Sequence, residues 1–361
     1  MDGESQLEEF RADNHFVPRM LLKRFASPDN KIFRYRILVQ HESEPLWQSC
    51  SLRSSATVKH LYTDVDAEGN THDTLERWLD NEFESPADTP LTKITSDARL
   101  SKDDWERVFR FVFLQHMRTL RHFAERCKDW PVSTPPLIQS TVADVEQKIR
   151  SGQTDVPDDE PERLEGRVRF PMHVIRGQSD DGVNVPLRVE ISGGRQLWLW
   201  EIEQAMLNTL RKLPRHKWTV LVAPLGHSWV LTDDPVVRLI TDKRGGYSFG
   251  GGWGAPGTQI FMPISPKHLL YCMTGKKPPA RGTELTIEQA NIFQRFIALQ
   301  AFRTIFALQP AKQIEQLRPR HVSEDAFKSE ERQLLELHDH HTQALEPHLG
   351  EGDVLLSSRI K

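Results

Sequence analysis

SKDDWERVFRFVFLQHMRTLRHFAER, residues 101–126, opens like a capped helix and continues with an apolar face broad enough to be wholly buried. Ser101 followed three residues later by Asp104 is a capping-box-like start. Trp105, Val108, Phe109, Val112, Phe113, Met117, Leu120 and Phe123 then recur at helical spacing, so one core helix is expected over Ser101 to Arg126. Phe111, Gln115, Arg118 and His122 fall on a single stripe of that helix at steps of four, three and four. Polar groups buried beside such a face need partners, and two arrangements supply them. In one, Arg118 grips a phosphate or carboxylate bidentately while Gln115 positions a substrate or water. In the other, Arg118 pairs with an internal glutamate and Gln115 bonds a loop carbonyl.

Towards the N-terminus, Asn14-His15-Phe16-Val17-Pro18 leads into a short helix carrying Leu22 and Phe25, with Asn14 as its cap and Pro18 in the first turn. Lys31 to Ile37 alternates strictly and reads as a strand paired with the segment Leu46 to Ser51. Leu75, Trp78, Leu79 and Phe83 are helically spaced between Thr74 and Ile94, and Pro86 and Pro90 divide that stretch into two helices. Beyond the core helix, acid and proline crowd the region 153–166, a solvated loop or insertion. Gln196 to Leu213 reads as a helix ended by Pro214, and Trp218 to Ala223 and Ser228 to Thr232 as paired strands. Val236 to Ile240, Thr258 to Met262 and His268 to Cys272 are further short strands, and Ile287 to Leu308 a long amphipathic helix.

These elements make an α+β fold: N-terminal helices and a small hairpin packed on a mainly antiparallel sheet, closed by a long C-terminal helix. Residues 1–310 are expected to form one integrated domain. Residues 311–361 are expected to be a polar, charged and loosely attached tail, on which His338, Asp339, His340 and His341 read as solvated.

The 361 residues are 38% hydrophobic and 27% charged, enough for a sizeable core. A formal charge of −4 excludes the whole-molecule basicity of a histone-like binder and leaves a local basic groove open. Cys50, Cys127 and Cys272 are odd in number and far apart, so neither a disulfide framework nor a thiolate zinc site is indicated. Met1-Asp2-Gly3-Glu4 lacks the pattern of a signal peptide and charges interrupt every apolar run, so a cytoplasmic protein with no membrane partner is expected.

Four fragments stand in order along the chain: Asn14-His15-Phe16-Val17-Pro18 with Leu22 and Phe25; Gln115-His116-Met117-Arg118-Thr119; Leu231-Thr232-Asp233-Asp234-Pro235-Val236; and Pro263-Ile264-Ser265-Pro266. Together they resemble the bacterial domain-of-unknown-function family 4238, from about Asn14 to Leu308. The family usually shows Ser-Asp-Asn-Pro where this chain has Thr232-Asp233-Asp234-Pro235, so Asp233 matches the family's aspartate and Asp234 replaces its asparagine. The resemblance implies one integrated unit and no particular activity.

The function expected from these residues is an enzyme acting on a phosphodiester, a nuclease foremost, with His15, Gln115, Arg118, Asp233 and Asp234 as its catalytic set. His15 serves as general acid or base, Arg118 stabilises charge developing on phosphate, and Gln115 orients the nucleophile. Asp233 and Asp234, with Glu82, form an oxygen-ligand set for Mg²⁺ or another divalent metal, or else the aspartates orient His15. Arg211, Lys212, Arg215 and Lys217 offer substrate-binding charge for a nucleic acid or nucleotide. The alternative is a non-catalytic ligand-binding or sensor protein that recognises a nucleotide or protein partner, with the motifs as structural ties. A third possibility is hydrolysis of another ester or of a glycosidic bond. Arg244 to Gly254 is glycine-rich but is not a Walker loop, and no Gly-x-Ser-x-Gly elbow is present. That loop is either a lid or an irregular hairpin connection. The oligomeric state is not encoded in any of these patterns.

Overall fold

The computed structural model describes residues 10–66, 70–151, 168–176, 187–242 and 244–333. The acid- and proline-rich stretch and His338 to His341 lie outside them.

The capping box forms as expected, with Ser101 Oγ accepting the Asp104 N–H at 3.1 Å and the Asp104 carboxylate accepting the Ser101 N–H at 2.8 Å. The helix it opens runs Lys102–Met117 and stops nine residues earlier than expected. Arg118 leaves helical geometry at φ −96°, ψ 8°, and a second helix begins at Leu120 and extends to Arg150. Local chemistry supports the break, because Thr119 Oγ1 accepts the His122 N–H at 3.2 Å and so caps the second helix.

Tyr247–Ser248, Val237–Thr241, Gln259–Pro263, His268–Met273, Trp218–Val222 and Thr283–Glu284 form, in that order, a six-stranded sheet, antiparallel except for its last pair. Arg238, Ile260, Cys272 and Trp218 stand in one row across it. That row faces the core helix, where Phe109 meets Trp218 at 6.4 Å between ring centroids. On the opposite face Phe261 and Tyr271 meet Phe293 of the helix Ile287–Gln300, at 5.0 and 5.7 Å. Covered on both sides, the central strands are buried almost throughout.

The expected hairpin of Lys31–Arg36 with Gln48–Ser51 is present, within a four-stranded antiparallel sheet ordered Leu231–Thr232, Thr304–Ala307, Lys31–Arg36, Gln48–Ser51. Two expectations are corrected here. Trp218 to Ala223 and Ser228 to Thr232 do not pair, because each joins a different sheet. The helix from Ile287 ends at Gln300 and does not reach Leu308. The Asp233 carboxylate takes the N–H groups of Phe302, Arg303 and Thr304 at 2.8, 2.7 and 2.9 Å, and the chain turns into the strand Thr304–Ala307. A continued helix would have needed those N–H groups for its own carbonyls.

Three smaller expectations also change. Thr74 to Thr95 is continuous because a π-helical turn, Asp80–Glu84, joins Thr74–Leu79 to Ser85–Thr95 and sets Pro86 in the first turn of the latter, where its missing N–H costs little. Asn14 does not cap the helix Arg19–Lys23; it lies in the strand Asp13–His15, and its side chain accepts the Tyr62 N–H at 3.0 Å. The segment after Pro310 is docked as far as it is described: Ile314 is buried, Tyr35 Oη donates to Arg318 O at 2.8 Å, and His321–Val322 pairs in parallel with Leu38–Val39. Among the described residues no helix is long and apolar enough to cross a membrane.

Asp233→Ala leaves three backbone N–H groups without their acceptor in a buried setting, each costing about 1–3 kcal/mol. The expected loss is above about 3 kcal/mol in urea denaturation, with Asp233→Asn intermediate because its one amide oxygen replaces part of the carboxylate.

Candidate functional site

Arg118 is fully buried and bonded on every side. Its Nε donates to Tyr62 Oη at 3.1 Å, and Tyr62 Oη in turn donates to Arg118 O at 2.6 Å. Nη2 reaches His15 O at 2.6 Å and Glu76 at 3.4 Å, Nη1 lies against Glu84, and the guanidinium stacks 4.6 Å over the Tyr62 ring. Two glutamates, a phenol and a carbonyl thus surround the guanidinium and match its charge inside the fold. The His15 ring donates from Nε2 to Leu52 O at 3.3 Å, and burial lowers its pKa. Arg118 and His15 therefore meet, through the histidine's backbone rather than its imidazole. Gln115 is fully buried one turn earlier, and its amide has no partner among the described residues.

Asp233 and Asp234 are adjacent in sequence and point to different tasks. Asp233 holds residues 302–304, as described, with burial pushing its carboxyl up to about 6 against the pull of three N–H bonds. Asp234 faces a polar cavity of about 240 Å³. Glu82 is half-exposed and lies opposite Arg110 at 3.9 Å. The three carboxylates expected to share a metal thus have separate surroundings, and among the described residues no group of three or more His, Cys, Asp or Glu is placed to hold a metal ion. Arg215 binds Glu106 bidentately, 2.9 Å at each nitrogen, and lies 4.5 Å over Phe109, so its charge is already matched. Arg211, Lys212 and Lys217 are exposed and do not line the cavity.

The cavity forms where the helix breaks. His116 from the last turn of the core helix and Arg121, His122 and Glu125 from the first turns of the next converge on it. Arg238 comes from the six-stranded sheet, Gln300 ends the helix Ile287–Gln300, and Ser248, Phe249 and Gly250 form a wall. The His116 and His122 rings are 5.5 Å apart, edge to face. Trp198 Nε1, a donor only, gives its hydrogen to His122 Nδ1 at 3.1 Å, so the neutral ring carries its proton on Nε2. Burial lowers the His122 pKa to about 4 and that of His116 well below the usual range, with Arg238 adding to both effects. Both imidazoles are neutral at physiological pH.

Asp234 accepts the Gln300 side-chain N–H and lies 3.7 Å from Arg121 Nε. Burial drives its carboxyl up to about 7. Arg121 donates from Nε to Glu125 at 2.9 Å and to Gln300 O at 2.8 Å, and Arg238 donates to Gly251 O at 2.9 Å. Gly251 permits that approach, because a Cβ there would stand 2.5 Å from Thr258 and 3.1 Å from Arg238 O. The glycine-rich stretch is thus a hairpin connection held against the sheet, with Ile240 and Thr241 paired to Ser248 and Tyr247.

Of the five residues expected to form a reaction centre, Asp234 alone lines the cavity. Arg121, Arg238, His116 and Gln300 were not among the expected site residues. Arg238 has a sequence signal, a cation alternating with Val237 and Leu239 in a strand otherwise apolar. The convergence of the others depends on the break at Arg118, for which Thr119 as a cap is the one local sign, and on the helix end that Asp233 fixes at Gln300.

A family model described as a protein of unknown function (DUF4238) matches residues 13–310. No curated protein and no solved structure matches the chain.

Arg118→Met leaves Glu76 and Glu84 buried without their cation and is expected to cost about 3–5 kcal/mol in urea denaturation. Asp234 behaves in the opposite sense. Its folded pKa lies above its unfolded value of 3.8, so its contribution favours folding below about pH 4 and is lost as pH rises through about 7. Asp234→Asn should therefore melt above the parent protein at pH 8, and by a smaller margin at pH 5.

Proposed function

We infer that this chain, which belongs to the DUF4238 family, binds a phosphate-bearing ligand in the cavity at the helix break. The observation that carries the reading is the convergence of Arg238, of Arg121 with its partner Glu125 at 2.9 Å, and of the fixed Nε2–H tautomer of His122 on one polar cavity. With both imidazoles neutral, the two arginines face Glu125 and Asp234. The cavity is neutral when Asp234 is ionised and carries one net positive charge when Asp234 is protonated. An anion is favoured by the second state, so binding takes up a proton near pH 7. An apolar cavity of about 150 Å³ holds a benzene molecule, so this volume accommodates a phosphoryl group and part of a sugar or base rather than a whole dinucleotide.

Binding is preferred to the nuclease reading because Arg118, Asp233 and His15 are engaged in internal bonds. Hydrolysis of a phosphoester in the same cavity is the second reading. It is favoured by the paired imidazoles 5.5 Å apart, with His122 Nε2–H available to donate to a phosphate oxygen.

Titration calorimetry with inorganic phosphate and a nucleoside monophosphate tests both. Binding is expected for the parent protein, with a Kd that rises as pH increases above 7. Arg238→Ala is expected to weaken binding at least tenfold. Asp234→Asn is expected to bind at least as tightly as the parent at pH 8 and to lose the weakening that the parent shows above pH 7. Absence of binding, or an Arg238→Ala variant that binds as the parent does, overturns the reading. Release of alcohol from a phosphodiester probe, abolished by His122→Ala, would establish the second.

A further inference from the structure

The sheet register brings three basic segments to one end of the molecule. Leu239 pairs with Gln259, Gln259 with Met273, and Cys272 with Trp218. Immediately beyond these positions, all at the same end, lie the Thr241–Tyr247 turn with Arg244, the stretch after Met273 with Lys276 and Lys277, and Lys217 next to Trp218, while Arg211 and Lys212 end the short helix Leu210–Lys212 a few residues upstream. All six cations are exposed. Segments 211–217, 242–246 and 274–281 contain a single acid, Asp242, whose carboxylate accepts the N–H groups of Arg244 and Gly246 at 2.8 Å. From the strand Val237–Thr241 to the strand Trp218–Val222 is three strand spacings, about 14 Å. The chain's overall charge of −4 makes this concentration a local feature.

The basic end is joined to the cavity by one loop. Ser248, Phe249 and Gly250 form the cavity wall, while a few residues later Trp253 O accepts from His216 Nε2 at 2.9 Å and Gly254 lies against Pro214. Tyr247, beside Arg244, is 44% exposed and braced edge-on by Phe296 at 4.9 Å. A braced, exposed aromatic ring at the end of the sheet that carries these cations suits a stacking base.

We propose that this end of the six-stranded sheet binds single-stranded nucleic acid, whose terminal phosphate enters the cavity. The inference rests on the phosphate-binding reading for its second half only. The cavity admits a chain end and is too small for a duplex terminus, and exposed cations with an exposed ring at one end of the sheet suit the phosphates and bases of an unpaired strand.

The test measures anisotropy of a 12-nucleotide single-stranded DNA, with and without a 5′-phosphate, on the full chain. Competitors are the matching duplex and poly-glutamate. Binding is expected to weaken with salt at a log–log slope of magnitude about 2–3, as for three or four phosphates of a single strand. Lys217→Glu combined with Lys276→Glu and Lys277→Glu is expected to weaken both oligonucleotides at least tenfold with an unchanged melting temperature. Arg238→Ala is expected to remove only the advantage of the 5′-phosphate. A triple variant that binds as the parent does, or competition by duplex or poly-glutamate as effective as by the single strand, overturns the proposal. Loss of binding in the triple variant with no 5′-phosphate effect keeps the surface and rejects the cavity as its terminus.

Discussion

One carboxylate holding three consecutive backbone N–H groups organises the second half of this protein. Asp233 takes the hydrogens of residues 302–304, and by doing so it stops a helix and redirects the chain into the strand that joins the N-terminal hairpin to Leu231–Thr232. The tie spans about seventy residues of sequence and lies in the core, where each N–H would otherwise be unsatisfied. Its second effect is on the neighbouring side chain. With Asp233 fixed against residues 302–304, Asp234 faces the cavity and the last residue of the stopped helix, Gln300, meets it there.

Arg118 does the same work with the opposite charge. On an unbroken helix His116 and His122, six residues apart, would project about 120° apart around the axis. The break at Arg118 and Thr119 brings their rings to 5.5 Å and aims the first turn of the next helix, with Arg121, into the same space. The guanidinium draws on the N-terminal strand through His15 O, on the loop through Tyr62 and on the π-helical turn through Glu84, so the geometry of the cavity is referred to three distant segments. The π turn adds a residue to the helix and places Glu84 where the guanidinium can reach it.

This explains which parts of the fold are legible in the sequence. The Ser101 capping box, the Lys31–Arg36 hairpin partner and the spans of the central strands are set by neighbours a few residues away, and they appear where local pattern places them. Helix ends at Met117 and Gln300 are set by side chains from elsewhere in the chain, and pattern overruns both. The polar stripe Gln115, Arg118, His122 was visible as a contradiction within an apolar helix. The choice between ligand and internal partner for Arg118 depended on Glu76 and Glu84, whose spacing carries no trace of the contact. The same holds for Asp233 and Asp234, identical in type and adjacent, distinguished only by what the fold sets against each.

The resemblance noted above sets an asparagine where this chain has Asp234, and the physics of that exchange isolates what the carboxylate adds to the cavity. An asparagine oxygen accepts the Gln300 N–H as a carboxylate oxygen does, so the packing at the helix end is indifferent to the choice. What changes is a titratable negative charge 3.7 Å from Arg121 and in the field of Arg238. With asparagine the two arginines and the His122 donor act at a charge independent of pH. With aspartate the same donors are partly offset once the carboxyl ionises, and because burial holds that event near pH 7, the offset falls within the physiological range. The carboxylate is therefore best understood as an adjustment to the charge of a cavity built by other residues, at some expense in stability above neutral pH, and not as the group on which the cavity's architecture depends.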